Sequence, residues 1–507
     1  MSREAGLPLP ATGRARVSSL ALAVGVTAAL YGAVLRVLPF FVPAGQTDSD
    51  EAIVGLMAKQ FLGGELDIFY WGQPYGGTPE VFVDAAFRAL FGDSLFVLRL
   101  PSLLYSILAA LLVWKLAREL LDTRRAYLAA LCFWSTPALL ATFGVREMLF
   151  YSPTLVLGLL LVLLTLRAVD APASTWPWAA IGLGVGIGFW MSGNIAYFAV
   201  PIALFALLSL RTVSLRMLTA LPAFLLGSAP WWWWNFEHDF ATFDLTREAR
   251  IGRPGPLENL ELYVTDGLRV PLGLWTEDSE SGLWRIAAYA VFVVVVVAFL
   301  AVGIPALVAA LRDRRRVPLD VLAMLTAPFV YAILPFRYAF VVPRFFLFVW
   351  PFAWILLARL AVGRRATAAV VALAACTAAL TVTSYVRTPG GPPDLEPVKE
   401  AMAREGVTHA FADYWLAYRI LFETDERLVL SPYQYDRRSG YTTEVRAGPR
   451  SVYVFAEGAP DQARVVSAAQ EQSLSFRTVE AGEYVLYVVD GQLYPEVVVP
   501  ERPMSGF

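Results

Sequence analysis

The sequence predicts a polytopic α-helical membrane protein, a bundle of about eleven transmembrane helices, followed by a C-terminal α/β domain outside the cytoplasm. Three observations predict it. The 507 residues are 57% hydrophobic and only 17% charged, against about 25% charged in soluble domains, and mean hydropathy is +0.55. A soluble core could not hide that much apolar sequence. Second, apolar runs long enough to cross a bilayer alternate with short arginine-rich connections. Third, the composition changes at Thr388-Pro389-Gly390-Gly391-Pro392-Pro393, a Pro/Gly linker beyond which strand and short-helix patterns take over.

The first apolar run, Val17 to Pro43, is longer than a signal-peptide core and no small-residue cleavage site follows it, so it reads as a retained span. Further spans are expected at 95–117, 125–143, 148–167, 177–193, 194–210, 217–235, 284–311, 318–335, 340–360 and 366–386. Every second connection is basic. Arg3, Arg14 and Arg16 precede the first span, and Lys115, Arg118, Arg124 and Arg125 join the second to the third. Arg167, then Arg211 with Arg216, then Arg312 with Arg314–Arg316, and finally Arg359 with Arg364 and Arg365 continue the series. The positive-inside rule places these in the cytoplasm with the N-terminus, and an odd number of spans places the C-terminus outside. The expected location is the plasma (inner) membrane, multi-pass. Arg36, within the first span, is expected to snorkel outward.

This topology divides the chain into a transmembrane part, 1–387, and an extracytoplasmic α/β domain, 388–507. The outer face carries a first loop at 44–94, a second large loop at 236–283, and the tail. Within the tail, helices are expected at Leu395–Glu405, Tyr414–Phe422 and Gln462–Gln472, and strands at His409–Ala412, Arg427–Leu430, Ser451–Phe455 and Glu483–Val489. Cys132 and Cys376 fall inside apolar spans, so neither a disulfide framework nor a thiolate metal site is expected. His238 and His409 lie too far apart in sequence to point to a histidine metal site. A net charge of −2 gives no argument for nucleic acid, and none is expected as a partner.

The polar residues that could do chemistry gather on the outer side. Asp48, Asp50 and Glu51 follow the first span. Carboxylates beside a bilayer are commonly functional; here they could bind a divalent cation or act as a general base, while Asp48 or Ser49 also fits the N-cap of a helix running to Leu62. The stretch Tyr70-Trp71-Gly72-Gln73-Pro74-Tyr75-Gly76-Gly77-Thr78-Pro79-Glu80 makes an irregular aromatic loop that could stack on a sugar or simply anchor at the interface, and Val81–Phe91 reads as a second surface helix. Arg146-Glu147 lies between the third and fourth spans; Arg337 and Arg344 lie at the outer ends of the ninth and tenth. Arginine suits phosphate because its planar fork donates two parallel hydrogen bonds. Trp231–Trp234 form an aromatic belt, and Asn235 and His238 beside them are within reach of a headgroup.

In this order the residues resemble the GT-C superfamily of membrane glycosyltransferases, and within it glycosyltransferase family 39 and its relatives, which include protein O-mannosyltransferases and lipid A aminoarabinose transferases. The likeness rests on Asp50-Glu51, on Pro74 to Pro79, on Leu90-Phe91-Gly92 with Arg99-Leu100-Pro101, on Pro230 to Asn235 and on Pro343-Arg344-Phe345. It covers roughly 40–390. Two departures stand out: Gly77-Thr78 precede Pro79 where relatives often carry Lys, and Ser152-Pro153 stand where many carry Asp. In the tail, Ala412 to Arg419 looks like a motif of some bacterial relatives.

The resemblance implies a GT-C-like bundle that moves a sugar from a polyprenyl-phosphate donor to a hydroxyl on a lipid, glycan or protein acceptor at the outer face, as part of bacterial cell-envelope chemistry. Phosphate leaves without a general acid, so one carboxylate base suffices, and direct displacement inverts the anomeric carbon. Asp50 is the expected base, with Glu51 beside it and Asp48 as the other candidate. Arg146, Glu147, Arg337, Arg344, Tyr75, Glu80, Asn235 and His238 are the expected donor and phosphate contacts. Relatives of family 39 do not generally need a metal and no residue is assigned to one, although Asp48 and Asp50 permit a divalent cation. The competing readings are a transporter or flippase of lipid-linked precursors, which would place charge near mid-membrane, and a non-catalytic assembly scaffold built around the outer domain.

Overall fold

The structure is a computed structural model. It describes residues 19–40, 47–135, 145–171, 174–210, 215–243, 255–265, 290, 293–313, 316–333, 347–387 and 394–498. Among these, four helical stretches are long and apolar enough to cross a membrane: Leu95–Leu120, Tyr151–Asp170, Gly193–Leu210 and Val293–Arg312. Shorter apolar helices include Leu22–Val37, Trp176–Met191, Leu319–Ile333 and Trp350–Leu360. The expected run 217–235 is divided instead into Ala220–Gly227 and Ala229–Glu237. Pro230 at the start of the second helix gives the reason, since it has no N–H to continue the first helix's ladder.

Helix crossings are set by small residues. A Cβ at Gly182 would lie 2.0 Å from the Ala220 carbonyl oxygen, and one at Gly186 would lie 2.2 Å from that of Phe224. The Gly-x-x-x-Gly spacing therefore brings two backbones together where a lipid-like environment offers little hydrophobic drive between helices. Arg36 does not snorkel. It is buried, donates from Nε to Ser106 (2.5 Å) and from Nη1 to the carbonyls of Gly32 (2.9 Å) and Trp134 (2.7 Å), and stacks 3.8 Å from the Trp134 ring. Carbonyls and an indole face inside the bundle replace the water it would otherwise seek.

The described part of the loop expected at 44–94 is built from two helices and a hairpin. Asp48 caps Ser49–Leu62 by accepting from the Glu51 N–H at 2.9 Å. Strands β1 (Phe69–Tyr70) and β2 (Gln73–Gly77) pair antiparallel. Pro79 then opens the helix Pro79–Phe91, and Gly92, at φ 87°, ends it in a conformation costly for other residues. The hairpin sits against Trp176–Met191: Trp190 Nε1 donates to the Ile68 carbonyl at 2.9 Å.

The C-terminal residues form a five-stranded sheet in the order β4-β3-β5-β7-β6. Strands β3 (His409–Ala412), β4 (Val429–Pro432) and β5 (Ser451–Ala456) are mutually parallel where they pair, while β7 (Tyr484–Val489) runs antiparallel to both β5 and β6 (Phe476–Ala481). The expected helices and strands are present with shifts of one or two residues. Three elements were not anticipated, the helix Ser439–Arg446, edge strand β6 and the short helix Pro495–Val498. β6 leaves much of its surface in solvent and carries charge, so its apolar alternation is weak.

This sheet unit is seated on the helix Ser49–Leu62. The Ser49 hydroxyl donates to the Tyr414 carbonyl at 2.6 Å, and the Phe422 ring fills the space beside Gly55, where a Cβ would lie 2.3 Å from it. Lys59 bridges Asp425 and Glu426 at 2.5 and 2.8 Å.

Candidate active site

The N-terminus of Ser49–Leu62 is the centre of the site. Its three acids have different surroundings. Glu51 is fully buried and takes both arms of Arg99 at 2.7 Å, with the Glu147 N–H donating to the same carboxylate at 3.1 Å. Asp48 carries the cap and an ion pair to Arg146 at 2.5 Å. Asp50 is part-exposed, and its Oδ1 accepts from the Tyr414 hydroxyl at 2.5 Å.

Two cations face Asp50. Arg146, from the first side, feels the charges of Asp48, Glu51 and Asp50. Arg437, from the sheet unit, lies 5.2 Å over the Tyr414 ring and interacts electrostatically with Tyr414, Asp50 and Tyr75. Arg437 is held by its own turn. The Asp436 carboxylate accepts from Tyr418 (3.2 Å) and from the Arg438 N–H (2.9 Å), and the Tyr418 hydroxyl accepts from the Arg437 N–H at 2.7 Å. With its amide oxygen turned toward the guanidinium, Gln73 accepts from Arg437 Nη2 at 3.1 Å. Burial first, and then the charge of Asp50, push the Tyr414 phenol well above its ordinary range, so it stays a hydrogen-bond donor. Asp413 aims it by capping Tyr414–Glu423, accepting from the N–H groups of Trp415 and Leu416 at 2.8 and 3.3 Å.

Behind this mouth is a second group. Glu80, Asp84 and Glu147 are all buried, with one ligand atom from each lying within 4.8 Å of the others. Burial, followed by the charge of Asp84 for Glu80, of Glu80 for Glu147 and of Glu51 for Asp84, pushes these carboxyls well above the usual carboxylate range. The turn that carries Arg146 and Glu147 includes Leu149 at φ 57°. That conformation costs a leucine about 1–3 kcal/mol and persists where surroundings enforce it, often at functional sites.

The expected site residues therefore separate. Asp48, Asp50, Glu51, Arg146 and Tyr75 gather at the mouth, and Glu80 and Glu147 lie in the buried group behind it. Asn235 is buried apart from them. Its amide is occupied by the Trp231 carbonyl (2.9 Å) and the Thr242 N–H (3.3 Å). His238 stacks on Trp234 at 4.0 Å. Arg337 and Arg344 lie outside the described residues. Sequence reasoning missed four residues: Tyr414, Arg437, Arg99 and Asp84. Asp84 was within reach, because its four-residue spacing from Glu80 puts both on one face of the expected helix. Arg99 stood in the Arg-Leu-Pro run without a role, and nothing local marks Arg437.

Residues 81–234 match the family described as dolichyl-phosphate-mannose-protein mannosyltransferase. In structure the chain is similar to ArnT from Cupriavidus metallidurans in the apo state, with TM-score 0.62 and 14% identity, covering 93% of this chain and 98% of that one. The same protein bound to undecaprenyl phosphate gives TM-score 0.60 at 14% identity, covering 94% and 98%. The oligosaccharyltransferase AglB from Archaeoglobus fulgidus, in complex with an inhibitory peptide and a dolichol-phosphate, gives TM-score 0.54 at 14% identity, covering 91% of this chain and 73% of that one. Among curated proteins no sequence matches.

Proposed function

We propose that this chain, a membrane glycosyltransferase of the GT-C superfamily, moves a sugar from a polyprenyl-phosphate donor to an acceptor hydroxyl at the outer face of the membrane, with Asp50 as general base and inversion at the anomeric carbon. The observation that carries the reading is the setting of Asp50: a part-exposed carboxylate, held by the Tyr414 hydroxyl and flanked by Arg146 and Arg437. With Oδ1 occupied, Oδ2 is left to take the acceptor's proton. As the sugar–phosphate bond breaks, the two guanidiniums stabilise charge on the departing phosphate, which needs no proton of its own. Glu51 is spent on Arg99 and acts by positioning. Asp48 is spent on the helix cap and on Arg146. The ArnT structure that contains undecaprenyl phosphate supports a lipid phosphate as the donor's carrier. We further propose eleven spans, with the N-terminus in the cytoplasm and the sheet unit outside, as the basic connections argue.

The test is turnover per folded molecule with a labelled polyprenyl-phosphate sugar. A positioned base contributes about 10²–10⁴-fold, so Asp50→Asn loses that much while expression and donor binding survive. Asp48→Asn loses less. An active Asp50→Asn beside a dead Asp48→Asn moves the base to Asp48. Thiol labelling checks the topology: a cysteine introduced at Ser439 should react from outside, and one at Asp313 only from inside.

A further inference from the structure

We propose that Glu80, Asp84 and Glu147, together with the Tyr70 hydroxyl, form a site for a hard divalent cation that fixes the two halves of the outer mouth to each other. The three carboxylates come from two separate places, two from the helix Pro79–Phe91 and one from the turn before Tyr151–Asp170, and one ligand atom from each lies within 4.8 Å of the others. Both oxygens of Glu80, both of Asp84 and Oε1 of Glu147 are buried without a hydrogen-bond partner, and no arginine or lysine pairs with any of them among the described residues. The nearby fork of Arg99 is committed to Glu51. Three buried carboxylates need neutralising. Glu80 and Glu147 approach closely enough to share a proton, which leaves Asp84 to be neutralised separately, by a proton of its own or by a cation that serves all three.

The independent pointer is Tyr70. Its ring is buried, its hydroxyl is also without a partner, and it lies in the field of all three acids. A phenol placed there adds a fourth oxygen. Ser102 supports the group from outside by donating to Glu147 Oε2 at 2.9 Å, the kind of contact that orients a ligand. Asp84 also lines a small cavity with Gly55, Arg88, Asp93 and Phe422. An all-oxygen donor set selects Ca²⁺, Mn²⁺ or Mg²⁺ over zinc or copper. Oxygens on opposite sides of Ca²⁺ lie about 4.8 Å apart, and around Mg²⁺ about 4.2 Å, so three carboxylates with ligand atoms within 4.8 Å of one another are close enough for one such ion to reach all of them. Such an ion ties Glu147 to Pro79–Phe91, and so fixes the neighbouring Arg146 against Asp48.

The test does not depend on the transferase reading, because it reads metal rather than sugar. The full chain in detergent is stripped with EDTA and titrated with Mn²⁺, following the free-ion signal by electron paramagnetic resonance. One Mn²⁺ per chain, displaced by Ca²⁺, is expected, with a rise in melting temperature. Combined Glu80→Gln and Asp84→Asn should weaken binding by more than the roughly 10–100-fold that loss of an outer-shell partner costs, and should abolish the rise in melting temperature. Asp50→Asn should bind as wild type does. Should the double variant fail to fold, Tyr70→Phe serves, with weaker binding expected at unchanged fold. No Mn²⁺ on the wild-type chain overturns the proposal. So does undiminished binding in the double variant, or binding lost only with Asp50→Asn, which would move the ion to the first-helix acids.

Discussion

Replacing Glu51 by Gln separates position from chemistry at the mouth. The carboxylate is fully buried and makes two 2.7 Å bonds to Arg99 and one of 3.1 Å from the Glu147 N–H. An amide can keep one acceptor but turns its NH₂ toward a guanidinium, leaving the Arg99 charge buried and uncompensated. Removing one partner of such a pair costs about 3–5 kcal/mol, whereas replacing both by apolar groups of similar volume is often neutral. Glu51→Gln and Arg99→Met should therefore each destabilise by about that amount, and the combination Glu51→Leu with Arg99→Met should recover most of it. The assay is denaturant or thermal melting of the chain in detergent, with turnover measured per folded molecule. Asp50→Asn should show the opposite profile, dead but stable. A Glu51→Gln protein as stable as wild type, or a double variant no better than the singles, would refute the view that Glu51 is there to hold the framework.

Tyr414→Phe removes the hydroxyl from Asp50 and should lower kcat roughly 10- to 150-fold, the worth of a bond to a charged group, while donor KM holds; equal changes in both would point to general damage. Arg437→Ala should weaken donor binding or turnover by a similar factor, with Lys rescuing only in part because an ammonium lacks the fork, and wild-type kinetics in Arg437→Ala would remove it from the phosphate. Gly182→Ala forces a Cβ onto the Ala220 carbonyl and should cost about 1–3 kcal/mol by overpacking, whereas Gly25→Ala, which meets only Leu131 at 3.6 Å, should melt as wild type does.

The sequence by itself determined the class of the protein, because hydrophobicity and arginine spacing are local and additive. Long apolar runs leave few alternatives to membrane helices, and the tail's alternating segments leave few alternatives to a mixed α/β unit. It also marked Asp50-Glu51 and Arg146-Glu147 as the places to look. What it could not do was assign their roles. Asp50 and Glu51 are neighbours in the chain, yet the turn of the helix sends one to Tyr414 and the other to Arg99, and burial makes one a candidate base and the other a structural anchor. Tyr414 and Arg437 reach the mouth only because the sheet unit sits on Ser49–Leu62, a contact across more than 360 residues of chain. The charge at Arg36 reads as an interfacial anchor in one dimension and becomes a packed internal cation once Trp134 and Ser106 surround it. Patterning sets which segments avoid water; only packing decides which polar atoms are left facing one another, since a side chain's partners depend on distances that no local stretch of sequence contains.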